Sequence, residues 1–350
     1  MTDTNTTAFS NPSTFILLGS WPGIPGLEAA HVWISIPFCT MYVIALLGNF
    51  AILFIVKKEP KLHEPMYYFL CMLAVTDLVL STTTLPKILA NFWFNSREID
   101  FSACLTQMYF VHCFADIESG IFAALALDRY VAICHPLRHS TILTNSLVMK
   151  IGLVIVLRSS ILILPHPILA SQWPYCRSNI IPNTQCENMY VVKLACGDTR
   201  ISSYYALFVL SCRLGLDVFF IILSYIQILR AIFSLPTKEA RVKTFGTCSS
   251  HLCVILAFYI PILFASLSSR LGNNLPRYFN IFIADMYLLV PPTLNPVIYG
   301  VRTKQIREKL LQFFLLKELK FSPQVVALRP RSVGVLAGDI ELLTGQSKII

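Results

Sequence analysis

Seven long apolar stretches, each closed by charge, proline or a polar cluster, organise this chain: Val32–Val56, Met66–Ala90, Cys104–Ala132, Ser146–Ala170, Ser203–Phe233, Gly246–Ser268 and Phe279–Val301. Every one exceeds the roughly 20 residues an α-helix needs to cross a bilayer, and the surplus suits tilted helices. Segments of about 10 residues with strict alternation, the mark of a transmembrane β-barrel, do not occur. There is no fixed-period repeat and no Gly/Ser linker. The pattern predicts an all-α membrane protein, a seven-transmembrane helix bundle in one domain. Residues 1–31 form a leading segment, 32–301 the bundle, 302–316 a short amphipathic helix and 317–350 a tail expected to be disordered.

Composition strengthens the membrane reading. Of 350 residues, 55% are hydrophobic and 13% charged, against about 25% charged in a soluble domain. That balance excludes an intrinsically disordered chain and argues against a soluble enzyme. The formal net charge is +9, but the basic residues sit in short clusters between apolar blocks. Nucleic acid is therefore not an expected partner. Nineteen of the 28 Lys and Arg fall in the tail or in the loops that share its side of the membrane. The positive-inside rule then places the N-terminus outside and the C-terminus in the cytoplasm. Asn5-Thr6-Thr7 is an acceptor sequon for N-glycosylation on the outer side,. No Lys or Arg occurs before the first apolar block, so no cleaved leader is expected and the first span serves as its own signal. From Arg302 to Leu311 apolar residues recur among basic ones at helical spacing, as in a helix lying on an anionic membrane surface.

Eleven cysteines are present, none in CxxC spacing. Cys104, Cys176, Cys186 and Cys196 fall on the external side, where an oxidising lumen permits disulfides, and four cysteines allow three pairings.

An ordered series of motifs resembles the odorant (olfactory) receptors of the rhodopsin-like G-protein-coupled family. It comprises Gly48-Asn49, Pro65-Met66-Tyr67-Tyr68-Phe69-Leu70 leading to Asp77, and Asp128-Arg129-Tyr130-Val131-Ala132-Ile133-Cys134-His135-Pro136-Leu137. Ser224-Tyr225, Thr247-Cys248-Ser249-Ser250-His251 and Pro292-Thr293-Leu294-Asn295-Pro296-Val297-Ile298-Tyr299 complete it. Pro174-Tyr175-Cys176-Arg177 and Val192-Lys193-Leu194-Ala195-Cys196-Gly197-Asp198 resemble the fish-like class I branch in particular. The resemblance implies disulfides Cys104–Cys186 and Cys176–Cys196, and a plasma-membrane receptor rather than an enzyme. It implies two partners besides lipid, a small-molecule odorant and a heterotrimeric stimulatory, olfactory-type G protein acting through cyclic AMP. A non-olfactory small-metabolite receptor is the nearer alternative; a transporter or channel, which would show inverted repeats and broken helices, is the remoter one.

The same resemblance assigns roles. Arg129, held by Asp128 at rest and followed by Tyr130, would swing toward an inserting G protein, with Tyr225 and Tyr299 rearranging around it. Read without the motif around it, Arg129 would be a helix-end cation reaching for water; the whole motif favours the coupling role. Asn295-Pro296 interrupts the backbone ladder of span seven and lets it bend. Asp77 and Glu118, with Asn49 and Asn295, would surround water or a structural sodium ion, whose preference for oxygen ligands they suit; no other cofactor is expected. The competing reading is a pair of protonated carboxyls in hydrogen bonds. Class I receptors are associated with carboxylic acids, and Arg270 matches the arginine that grips a carboxylate. Ser266, His112 and Tyr259 would face the same pocket, Tyr259 where other rhodopsin-like receptors carry tryptophan, with span six hinging near Pro261.

Asp116 and Arg213 are charged where the family carries small and apolar residues, and His166 interrupts an apolar stretch. Unpaired charge at mid-membrane is very costly. An ion pair between Asp116 and Arg213 on the pocket floor is expected, with Asp217 the rival partner at i+4 from Arg213.

Overall fold

A backbone in hydrocarbon must satisfy its own hydrogen bonds, so apolar spans of this length fold as helices. The computed structural model describes residues 12–18, 31–176, 178–271, 277–303 and 305–312. Seven helices among them are long and apolar enough to cross a membrane. Span one is His31–Lys58, span two Pro65–Phe94 and span three Phe101–Cys134. Span four runs Asn145–Ile163 and restarts at Pro165–Gln172. Span five is Arg200–Cys212, a π-helical insert Arg213–Val218, and Phe219–Phe233. Spans six and seven are Lys238–Leu271 and Arg277–Arg302.

The helices overrun the apolar blocks where polar chemistry, invisible to hydropathy, supports them. Span three begins three residues before Cys104 because Asp100 caps it, accepting from the amides of Ser102 at 2.8 Å and Ala103 at 3.3 Å,. Span six starts at Lys238 rather than Gly246, a charged extension beyond the apolar run. Pro165 opens the second half of span four, where its missing N–H and fixed φ suit a first helical position,.

Span three is the most deeply buried of the seven and packs on spans two, four and five. Its two ends define the two faces of the molecule. At the lid end, strand β1 (Thr14–Leu17) pairs antiparallel with β2 (Glu98–Asp100) and parallel with β3 (Ile180–Ile181). This small sheet was not expected from the hydropathy pattern, which sees only long segments. Phe15 and Leu17 bury beneath it with Tyr175, Ile181 and Val191. Both disulfides are at this end, Cys104–Cys186 and Cys176–Cys196. At the opposite, tail end, residues 305–312 form a helix after a break at Thr303. Tyr67 donates to Gln305, and Lys309 Nζ lies 2.9 Å from Glu59 Oε1, so span two and the loop after span one anchor that helix. Asn5 and residues 313–350 lie outside the described residues.

Candidate functional site

Polar side chains inside the bundle gather at four depths along span three. At the lid, Cys186 is tied to span three by its disulfide, and its backbone N–H donates to Gln107 Oε1 at 3.0 Å. Two residues away, Thr184 donates to Asp285 of span seven. Span seven is thereby joined to span three through the three loop residues Thr184, Gln185 and Cys186. Glu187 lies in this strap, accepting from Asn183 Nδ2 at 3.0 Å. Burial pushes its carboxyl up to about 7, with Lys193 opposing the shift,. Burial likewise raises the Tyr175 phenol to about 12.

Nine residues further along span three from Gln107, at Asp116, spans three, four and five meet through charge. Arg213 Nε donates to Asp116 Oδ1 at 2.9 Å. The other carboxylate oxygen of Asp116 accepts from Ser159 at 2.7 Å and from Arg158 Nη2 at 3.4 Å. Asp217 does not take Arg213. It binds Arg158 instead, both guanidinium ends donating to its two oxygens, with Nη2–Oδ2 at 2.9 Å. Both Arg213 and Asp217 turn inward from the π-helical insert, but Asp217 is a turn deeper and faces span four. Ser119 extends the chain of contacts, donating to Asp217 Oδ2 at 2.7 Å and sharing a hydrogen bond with Tyr259 of span six at 2.6 Å. Two acids and two arginines thus neutralise one another in a chain of contacts, buried except at the half-buried Arg158, that ends on span six. His112 sits one turn above Asp116, its ring 5.9 Å from that of His166. The side chains of Ser266 and Arg270 lie outside the described residues.

Below this layer, Asn295 Nδ2 donates to both oxygens of Asp77, at 3.1 and 3.0 Å, and to Glu118 Oε1 at 3.4 Å. Asn49 Nδ2 donates to the carbonyls of Ala45 at 2.9 Å and Pro292 at 3.1 Å. The carbonyl oxygens of Asn49 and Asn295 are buried without a donor among the described residues. Two carboxyls and two unengaged amide oxygens are a donor set that fits a hard cation. Among the described residues no group of three His, Cys, Asp or Glu side chains is placed to hold a metal, so such an ion would depend on the amides.

At the tail end Asp128 Oδ2 lies 3.3 Å from Arg129, and its Oδ1 is 3.0 Å from His139 Nε2. Tyr130 turns away to His135, 3.4 Å distant. A cleft of about 390 Å³ opens here, lined by Arg129, Lys243, Ser250, His251, Tyr299 and Gln305 among others. Tyr299 shares a hydrogen bond with His251 Nδ1 at 3.2 Å, while the buried Tyr225 hydroxyl has no partner among the described residues.

Three contacts were not expected from the sequence: Arg158–Asp217, Thr184–Asp285 and His139–Asp128. The first two carried a signal, since charge inside a span demands a partner. His139 lies in a polar loop and carried none.

A profile of the family described as olfactory receptor matches residues 38–317. Human olfactory receptor 52R1 is 52% identical over 303 residues, covering 87% of this chain and 95% of that protein. Human olfactory receptor 51E2 is 50% identical over 302 residues, 86% of this chain and 93% of that protein. Human olfactory receptor 52N2 is 47% identical over 312 residues, 89% of this chain and 96% of that protein.

Proposed function

The chain belongs to the olfactory receptor family of G-protein-coupled membrane proteins, and from that membership we propose that a small polar or carboxylate-bearing odorant binds in the outer half of the bundle and activates a stimulatory G protein, raising cyclic AMP. In this reading the lid end faces outside the cell and the tail end the cytoplasm. His112, Asp116, Arg213, Tyr259, Ser266 and Arg270 surround the odorant. Arg270 is the carboxylate anchor, because a guanidinium presents two parallel donors to a carboxylate.

The observation that carries the reading is Arg129, held by Asp128 at the mouth of an open cleft. With Tyr225 and Tyr299 nearby, the arginine has new hydroxyl partners once Asp128 releases it. Span six bends near Pro261 and span seven at Asn295-Pro296, since each proline removes a ladder hydrogen bond,. Ligand shifts this equilibrium only by binding the two states unequally. The chain from Asp116 to Tyr259 connects the odorant layer to span six.

Sodium fits the Asp77–Glu118 layer. Asp77 and Glu118 with the amide oxygens of Asn49 and Asn295 would hold it, and the ion would neutralise carboxylates that otherwise repel each other. In the bound state these residues favour the resting packing of spans two, three and seven.

The test is a cyclic AMP reporter screen of short acids, alcohols and amines on wild type, Arg129→Ala and Arg270→Ala. Arg129→Ala is expected to abolish every response at unchanged surface amount, and Arg270→Ala to weaken acids selectively. Responses indifferent to Arg129→Ala would overturn the coupling assignment; acids activating both forms equally would remove Arg270 from the pocket.

A further inference from the structure

His166 is buried at the top of span four, and its neighbours explain its packing without explaining its polarity. One face lies against His112, ring centroids 5.9 Å apart, and another meets the Tyr205 ring edge-on at 5.3 Å. Tyr205 is itself fixed, its hydroxyl donating to the Leu162 carbonyl at 2.9 Å. The His166 ring makes no hydrogen bond to any described residue. His112 Nε2 is buried and also without a partner among the described residues. A ring nitrogen left so keeps its desolvation penalty uncompensated unless something fills the gap.

The third open group is Arg213. Only its Nε engages Asp116, and neither terminal nitrogen has a partner among the described residues. Depth places the three together. His112 lies one turn above Asp116, His166 two turns above Ser159, and Tyr205 two turns above Arg213. Ser159 and Arg213 both bind Asp116. The imidazoles therefore stand roughly 6–12 Å nearer the lid than the ion pair, at 1.5 Å per helical residue. That interval spans a polar head group. The π-helical insert begins at Arg213 itself; single-turn π insertions often accompany functional sites.

We propose that His112, His166 and the terminal nitrogens of Arg213 form a head-group site for an uncharged oxygen function, a carbonyl or hydroxyl, on the odorant. The chemistry selects an uncharged group. Arg213 and Arg158 are already balanced by Asp116 and Asp217, so a carboxylate at this depth adds an uncompensated buried charge. A neutral imidazole supplies one donor and one acceptor, and guanidinium supplies donors only. An oxygen that accepts from Arg213 and exchanges a hydrogen bond with one imidazole engages two of the three groups, and the second ring lies beside the first, 5.9 Å between centroids. The inference rests on the receptor reading above and sharpens it, placing the selective contact on span four rather than at Arg270 alone.

The test uses the full-length receptor in cells. Ketones, alcohols, acids and amines of matched carbon skeletons are titrated to millimolar concentration on wild type, His166→Phe and His166→Gln, with response normalised to surface amount. Phenylalanine keeps the ring contacts and removes both nitrogens; glutamine restores a donor and an acceptor. The half-maximal concentration for active ketones and alcohols is expected to rise about tenfold in His166→Phe with the maximum unchanged, and to recover in His166→Gln. His112→Phe is an independent second variant with the same expected loss. Ketone and alcohol responses unmoved by either phenylalanine would overturn the site. So would activity confined to acids that is sensitive to Arg270→Ala and indifferent to His166→Phe, an outcome that leaves the receptor reading standing. Silence of the wild type toward the whole panel would count against both.

Discussion

At the scale of single residues, partner number sets what each buried charge is worth. Arg213 has one ionic partner among the described residues, Asp116, whereas Asp116 has Arg213, Arg158 and Ser159. Removing the acid strands the base; removing the base leaves the acid with two donors. Asp116→Ala is therefore expected to lower stability by about 3 kcal/mol and Arg213→Met by clearly less, since an orphaned buried charge is the main cost. Thermal denaturation of detergent-solubilised receptor gives the order directly, and equal losses would contradict it. Glu187 makes a different demand because its folded carboxyl titrates near 7 rather than near 4.5. Below the lower value both folded and unfolded forms hold the proton. Between the two only the folded form does, so stability falls as pH rises from about 4.5 to about 7 and then levels. The slope is expected to flatten in Glu187→Gln, read as melting temperature at pH 5 against pH 8. A variant whose slope matched wild type would place the titration elsewhere.

At the scale of elements, close approach and broken regularity do the positioning. A Cβ on Gly48 would lie 2.6 Å from Pro296 Cβ, so spans one and seven touch at a point only glycine allows. Gly48→Ala must push span one away from the Asn295 layer. Overpacking of this kind typically costs about 1–3 kcal/mol, and a lowered melting temperature with reduced surface delivery is expected. An unchanged melting temperature would mean that Pro296 yields freely. The breaks matter equally. Span four restarts at Pro165, next to His166, and span five loosens into a π turn at Arg213. Both irregularities fall at the layer assigned to the odorant, where regular ladders would have aimed these side chains differently. The lid strap works by joining rather than breaking. Cys186, Gln107, Thr184 and Asp285 link spans three and seven at the lid end.

At the scale of the whole molecule, the proposed orientation has a direct check. An epitope placed before Phe15 is expected to be stained on intact cells, and one after Leu311 only after permeabilisation. The reverse pattern would invert the topology and with it the assignment of Arg129. The seven spans, their order and the clustering of basic loops were legible in the chain because hydrophobicity along a segment of 20 or more residues is a local property. The motifs from Gly48 to Tyr299 were legible for the same reason, each being a run of neighbours. The Asp116–Arg213 pair was legible as well, because two charges out of place in apolar spans demand each other,; what was not legible is the partner of Asp217. Asp217 stands four residues from Arg213 and was the obvious local rival, yet it binds Arg158, 59 residues away. The sheet of Thr14, Glu98 and Ile180 joins three segments too short to announce themselves. By itself the sequence determined a membrane bundle with a few charges that had to be paired, since no ion can stay unpaired in hydrocarbon. Only the tertiary structure decided which pairs form, because that depends on the facing and depth of helices far apart in the chain. It also left the Nε2 of His112, the His166 ring and the terminal nitrogens of Arg213 without hydrogen-bond partners among the described residues, the groups proposed above to meet a ligand.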